Sequence, residues 1–345
     1  MTDPAGVTEP SVTILDVGHG LCVLLTSEAE VTLIDTGAGS TVLDQLRSLS
    51  RTTVRRVLIS HADRDHVGAL LTLLSDDSFE VQEIWLNSDA FKESALWAAL
   101  IYEIDDVERA ADTQVQFGVR ERQGFSTGPF DVEILAPRLR LAGLGAGSRD
   151  TDGRRLETNS LSVVARVHAH GSPLALLPGD IDEVGLAHLL DQTPAPDLYA
   201  PILVFPHHGG HVSRASNASA NADFASRFVS LVRPTTVIFS IGRGQHGTPR
   251  KEIIDAIRNT VPGINILCTQ LSMLCSSAPV GAGNVAHLLQ AASRGRHVRA
   301  WCAGTIIIDH HEGSWRVRPS RAFHQAFIAA NASTALCTGQ LSTTS

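Results

Sequence analysis

The sequence predicts an α/β fold, and three observations carry that prediction. Short apolar runs enriched in β-branched residues alternate along the chain with stretches of helical periodicity. The apolar runs of the second half end in polar motifs containing Gly, Asp or His, the position at which α/β sheets place their chemistry. Of the 345 residues, 43% are hydrophobic and 19% charged, which excludes wholesale disorder, collagen and small disulfide scaffolds and allows a large buried core.

Taken in order, residues 1–11 read as a flexible N-terminus, and Val12–Val17, Leu21–Thr26 and Val31–Ile34 as a meander of strands. A fourth strand follows at Arg56–Ser60. Helical spacing marks Thr41–Leu49, Val67–Leu74 and Asp89–Ala111, and strands return at Thr113–Phe117 and Phe130–Leu135. The Gly-, Arg- and Asp-rich stretch Arg138–Glu157 reads as a long loop. Beyond it come strands at Ser160–His168 and Leu174–Leu177, a helix at Glu183–Leu190, a strand at Ile202–Phe205, a helix at Ala222–Val232, a strand at Thr235–Ile241 and a helix at Arg250–Asn259. After Pro262 the pattern changes to Ile264–Cys268, a Gly/Ser-rich stretch, a hairpin of Gly304–Asp309 with Ser314–Arg318, and a helix at Arg321–Ala330.

Charge and targeting signals narrow the function. The 28 Lys and Arg against 36 Asp and Glu give a net charge of −8, so a polyanion must find a local positive field against an unfavourable whole. No basic n-region or apolar run precedes Ser11, and no stretch approaches the roughly 18 apolar residues of a membrane span. Five cysteines, an odd number, predict reduced thiols and hence a cytoplasmic protein with no membrane partner.

The strongest chemical signal is Ser60-His61-Ala62-Asp63-Arg64-Asp65-His66, at the exit of a strand and the start of a helix. Alternation in the extended segment puts His61 and Asp63 on one side while Asp65 and His66 turn in at the helix start, so two adjacent metal positions come within reach. The plainer reading is that Asp65 caps a helix and the histidines are solvated. Three later motifs argue against it: Pro178-Gly179-Asp180, Pro206-His207-His208-Gly209, and Gly242-Arg243-Gly244-Gln245-His246, each directly behind an apolar strand. Asp180 is placed to bridge two ions.

With Asp16-Val17-Gly18-His19-Gly20 and Ile34-Asp35-Thr36-Gly37 ahead of them, these motifs resemble the metallo-β-lactamase superfamily and, more narrowly, the hydrolase module of the competence DNA-uptake channel protein ComEC. The resemblance covers roughly residues 12–260. It implies a four-layer αββα sandwich, a hydrolase domain over 12–262; the rest lies outside the motifs and reads, from its change of pattern, as a C-terminal extension packed on that domain over 263–330 and a tail over 331–345. The resemblance implies His61, Asp63, Asp65, His66, Asp180 and His207 as metal ligands, with His208 as the substitute for His207 or a substrate contact. Asp65 and His246 are the implied catalytic residues, His246 as a ligand or as the acid for the leaving oxygen. Asp63 stands where most of the superfamily has His, and it hardens the site, so the expected cofactor is one or two divalent ions, Zn²⁺ or Mn²⁺. A histidine expected before the Gly-Asp motif is replaced by Asn159-Ser160. Asp16 and Asp35 are expected to be structural or to orient histidine N–H groups.

The implied chemistry is hydrolysis by a metal-bound hydroxide, needing no Ser or Cys nucleophile. Phosphodiesters, as nucleic acid or small nucleotides, are the expected substrate class; Arg243 and Lys251 flank the helix start at Thr248-Pro249, where backbone N–H groups would receive phosphate. The alternatives are a lactone, thioester or β-lactam hydrolase, or a non-catalytic metal-binding scaffold. Cys268, Cys275 and Cys302, with His287 and His297 between them, could close a structural Zn²⁺ site or be small buried thiols.

Overall fold

The N-terminal meander forms where the pattern puts it. In the computed structural model, which describes residues 9–338 apart from 90–91, 111–112, 193–194, 213–216, 245, 282–284 and 333, β1 (Ser11–Ile14), β2 (Val23–Thr26) and β3 (Val31–Ile34) pair antiparallel. Residues 1–8 of the expected flexible N-terminus, 90, 91 and 111 of the expected long helix, and 339–345 of the expected tail lie outside the described residues. The short strands β4 (Thr53–Val54), β5 (Arg56–Leu58), β6 (Glu80–Val81), β7 (Glu83–Leu86) and β8 (Gln114–Phe117) follow. β5 lies parallel between β3 and β7, β8 extends the sheet beside β7, and β4 pairs with β6 in a small ladder of its own.

A second sheet starts antiparallel, with β9 (Gly124–Thr127), β10 (Phe130–Ala136), β11 (Val164–Ala169) and β12 (Ser172–Leu177). It continues in parallel through β13 (Ile202–Val204), β14 (Thr236–Phe239) and β15 (Asn265–Cys268). β16 (Ile306–His311) and β17 (Ser314–Arg318) return to the first sheet, where β16 pairs with β1. The first sheet has the order β17-β16-β1-β2-β3-β5-β7-β8 and the second β15-β14-β13-β12-β11-β10-β9.

Period-two alternation sorts the side chains into layers. On β2, Val23 and Leu25 enter the core between the sheets, opposite Val132, Val167 and Ile202, while Leu24 faces the helices α1 (Thr41–Ser48), α2 (Arg64–Val67), α3 (Leu70–Leu74) and α4 (Ala95–Ala110). α5 (Leu139–Leu144) packs Leu141 with Ala146, Leu156 and Leu161 in a small separate cluster. On the far side, α6 (Glu183–Leu190), α7 (Ala218–Val232) and α8 (Lys251–Thr260) cover the second sheet; α9 (Arg294–Val298) lies beside Asp16, and α10 (Arg321–Asn331) adds Phe327 and Ile328 to that outer core. The result is the αββα sandwich, with both faces of its central strands buried; at roughly 1.5–3 kcal/mol for each fully buried Val, Leu or Ile, the three apolar layers carry most of the stabilisation.

Several features differ from the sequence reading, among them the start of the expected helix Asp89–Ala111, which begins as α4 at Ala95. α5 interrupts the expected loop Arg138–Glu157, because Leu141 has an apolar patch of its own to cover. The strands β4, β6, β7 and β9 and the helix α9 were not read from the sequence. The expected helix Val67–Leu74 is split into α2 and α3. The largest correction concerns the boundary at 262: the segment after it does not simply pack on a finished domain but supplies β15 to one sheet and β16 and β17 to the other. Ala335, in the expected tail, is buried in the outer core of the second sheet.

Candidate metal centre

The site lies where the carboxyl ends of β5, β12, β13 and β14 meet, the place where α/β sheets open their clefts. Close approach of backbone makes that meeting feasible. Gly20 has φ +127°, and a Cβ there would stand 2.1 Å from the Asp65 carbonyl oxygen. Without that clash, the Leu21 N–H donates to the same oxygen at 3.1 Å and fixes the loop carrying Asp65. Gly179 has φ +54°, and a Cβ would fall 2.2 Å from Ser162 Oγ, the oxygen that accepts the Asp180 N–H at 3.0 Å.

Four side chains converge there. Ligand atoms of Asp65, His66, Asp180 and His208 all lie within 4.8 Å of one another. Their hydrogen bonds dictate what faces inward. His66 Nδ1–H donates to Asp35 Oδ2 at 2.7 Å, and His208 Nδ1–H donates to the Ser240 carbonyl at 2.8 Å. Each imidazole therefore turns Nε2 into the cluster, and the two Nε2 atoms stand 3.3 Å apart. His208 Nε2 is 3.2 Å from Asp65 Oδ2, and His66 Nε2 is 3.5 Å from Asp180 Oδ1. Asp180 is held in turn by the His207 main-chain N–H, which donates to Oδ1 at 3.0 Å.

Two carboxylates and two imidazole nitrogens facing one point demand positive charge. Burial disfavours charge on all of them, yet the Asp35 and Asp180 carboxylates outweigh it and raise the His66 pKa well above its usual value. His208 is raised likewise, burial being outweighed by Asp180 and Asp65. Burial pushes Asp180 up but His208 and His66 bring it well below the usual carboxylate range, and Asp65 is lowered mainly through its bond to His208. Protons alone would leave two imidazoliums 3.3 Å apart. A divalent ion accepts all four ligands at once, so the donor set of two nitrogens and two carboxylates fits a metal.

A sequence profile of the Metallo-beta-lactamase superfamily matches residues 15–147. Sandwich, profile and converging ligands agree. The chain is a metallohydrolase of the metallo-β-lactamase fold. The "Competence protein ComA" of Neisseria gonorrhoeae is 26% identical over 270 residues, 76% of this chain and 31% of the relative, so the chain spans about a third of that protein's length. The similarity found is thus to a competence protein named ComA, and it is partial. Among solved structures, the metallohydrolase Igni18 of Ignicoccus hospitalis is 15% identical, with TM-score 0.43 over 74% of this chain and 94% of its own. The metallo-beta-lactamase fold protein YhfI of Bacillus subtilis is 12% identical, with TM-score 0.44 over 75% and 97%.

The structure of the metallohydrolase redistributes the expected site residues. Asp65, His66 and Asp180 enter the cluster, and His208, not His207, supplies the second imidazole. The correction has a backbone cause. His207 and His208 both have left-handed φ, near +54°, which turns consecutive side chains in different directions; His207 Nε2–H donates to the Ile181 carbonyl at 3.2 Å. His61 and Asp63 stand beside the cluster, the His61 ring 4.0 Å from that of His66, without joining it. His246 is exposed, its ring tilted against that of His19 at 4.4 Å, and the His19 ring is 4.5 Å from that of His208. His19, left out of the expected site, lies 3.5 Å from Asp65 Oδ2, and burial together with His208 lowers its pKa to about 4. Only its glycine neighbours signalled that it sits in a turn.

The expected substrate contacts Arg243 and Lys251 are elsewhere. The Arg243 guanidinium donates to the carbonyls of Leu271, Ser276 and Ala278, and Lys251 pairs with Asp255 on the exposed face of α8. The residues that do line the cleft beside the cluster, a space of about 450 Å³, include Asp63, Arg155, Thr158, Asn159, His207 and His211. Cys268, Cys275 and Cys302 do not close a metal site: among the described residues only the Asp65 cluster meets that geometry. The cavity between the thiols is apolar and of about 10 Å³, barely the room of one water. Asp16 proves structural, accepting from Gln270 Nε2, Ser293 Oγ and the Gly295 N–H, while Asp35 orients His66 as its position implied.

Proposed function

We propose that the protein hydrolyses phosphodiesters of nucleic acid or small nucleotides. The observation that carries this reading is the donor set of Asp65, His66, Asp180 and His208: two carboxylates beside two imidazoles favour an oxygen-seeking divalent ion, Zn²⁺ or Mn²⁺, the kind that organises phosphoryl oxygens. When bound, such an ion lowers the pKa of a coordinated water towards about 7 and polarises the oxygen under attack. The chain's own residues do the rest. Asp35 and the Ser240 carbonyl fix both imidazoles with Nε2 inward, so neither ring needs reorganisation. Asp180, held by the His207 main-chain N–H on one side and facing His66 and His208 on the other, keeps its negative charge in a buried place. Arg155 lines the cleft, where its guanidinium can receive the non-bridging oxygens of a substrate. The row of tilted rings His246–His19–His208 leads from solvent to the cluster, and His246 at its exposed end is the candidate acid for the leaving oxygen.

The partial likeness to a competence protein supports a nucleic-acid substrate. The net charge of −8 favours short or single-stranded substrates over long duplexes. Five free cysteines support a reducing, cytoplasmic setting. The test is turnover of bis-p-nitrophenyl phosphate by metal-loaded protein, alongside nitrocefin, a lactone and a thioester. Phosphodiester turnover that chelation removes, Mn²⁺ or Zn²⁺ restores, and Asp180→Ala lowers by more than about 100-fold is expected. Turnover of a carbonyl substrate alone would replace this reading with the acyl-hydrolase one.

A further inference from the structure

The residues beside the cluster form a second polar position, already supplied with a cation. His61 Nδ1–H donates to Ser60 Oγ at 2.9 Å, since the Ser60 hydroxyl gives its own proton to Asp35 Oδ2 at 2.7 Å. The His61 Nε2 lone pair is left buried and without a protein partner, 3.7 Å from Asp63 Oδ2. The other oxygen of Asp63 accepts directly from the Lys92 ammonium.

Lys92 is brought there by a tethered loop. Its main-chain N–H donates to the Asp89 carbonyl at 3.0 Å, and Asp89 Oδ2 accepts from Thr158 Oγ1 at 2.7 Å. Asn87 Nδ2 donates to the Leu161 carbonyl at 3.3 Å. The same 158–161 segment offers a buried Asn159 Oδ1 without a partner, and Asn159 and Asp63 line one cleft. The His61 lone pair and one carboxylate border this position, and an ammonium has been delivered to it. Among the described residues, no group of three ligand atoms converges here.

We propose that Lys92 takes the place of a second metal ion: the centre holds one divalent cation, on Asp65, His66, Asp180 and His208, and the ammonium on Asp63 supplies the neighbouring positive charge. This rests on the metal centre read above and is independent of the substrate. An ammonium carries one charge, needs no ligand exchange and cannot be removed by a chelator, so the two positive charges of the site differ in origin and in lability.

The experiment is a titration of chelator-treated protein with Mn²⁺, read by bound metal per chain and by electron paramagnetic resonance. Wild type is expected to take one ion and give a mononuclear signal. Lys92→Met is expected to take a second ion and give an exchange-coupled signal, and Asp63→Asn to keep one ion with affinity changed by less than about five-fold. Two ions in wild type, or an ion lost in Asp63→Asn, would overturn the proposal; so would a folded Lys92→Met that stays at one. Should Lys92→Met fail to fold, the wild-type and Asp63→Asn counts decide by themselves. One ion with no phosphodiester turnover would sink the substrate reading and leave this one standing, whereas turnover with two ions would do the reverse.

Discussion

Two regions of this protein gather the residue types that bind metals, and among the described residues only one brings its ligand atoms together. At the sheet edge, Asp65, His66, Asp180 and His208 face one another, and the carboxylates draw positive charge onto the imidazoles. Within the outer core, Cys268, Cys275, Cys302, His287 and His324 lie among Ile254, Ile328 and Leu271, and there burial keeps every group neutral. Cys268 and Cys302 thiols are pushed well above their usual range by desolvation, and His324, 3.2 Å from Cys302 Sγ, is lowered to about 4 by burial and by His287. A thiolate site would have to ionise sulfur in that setting. Ligand identity is therefore a weaker guide than the charge that surrounds it.

The sharpest way to break the contrast is within the adjacent pair of histidines. His208→Ala is expected to weaken Mn²⁺ or Zn²⁺ binding by more than about 100-fold, whereas His207→Ala, which keeps its main-chain bond to Asp180, is expected to change it by no more than about ten-fold. Equilibrium dialysis with both variants decides it, and equal losses would mean that His207 ligates. Asp35→Asn comes next, because an amide can hold His66 in the wrong tautomer. A loss of about 10–100-fold in metal affinity, with the fold retained by circular dichroism, is expected.

The smallest effect belongs to the neutral region. Between its unfolded value of 6.5 and about 4 in the fold, His324 takes up a proton only when the chain unfolds. Its neutral form is fully accommodated above pH 6.5, and stability is lost as pH falls from there towards 4. The loss is at most about 3.5 kcal/mol, at about 1.4 kcal/mol for each unit. His324→Leu should flatten that acid limb relative to wild type, as read by urea midpoints at neutral and acid pH, with bound metal unchanged. A change in metal content would show that the two regions are coupled.

Much of this was legible in one dimension. The strands bearing Val12, Val23, Leu33, Ile202 and Val237 announce themselves by β-branched apolar runs, and Asp65, His66 and Asp180 by following such runs directly. What could not be read were relations between distant segments. Nothing local distinguishes His207 from His208, since both follow Pro206 and differ only in how a left-handed backbone aims them. Lys92 looks like any surface lysine until Asp89 and Thr158 tether its loop beside Asp63. Arg243 looks like a phosphate ligand until three carbonyls occupy its guanidinium.

By itself the sequence determined the alternation of strands and helices and the edge at which chemistry would sit, because periodicity and motif position are properties of short stretches; the four layers followed from the resemblance of its motifs to a known superfamily. Tertiary structure alone decided which donors meet, that a lysine occupies the neighbouring position, and that the last strands complete both sheets. Each of those depends on distances of a few ångströms between residues tens to hundreds of positions apart, and such distances exist only once the chain has folded.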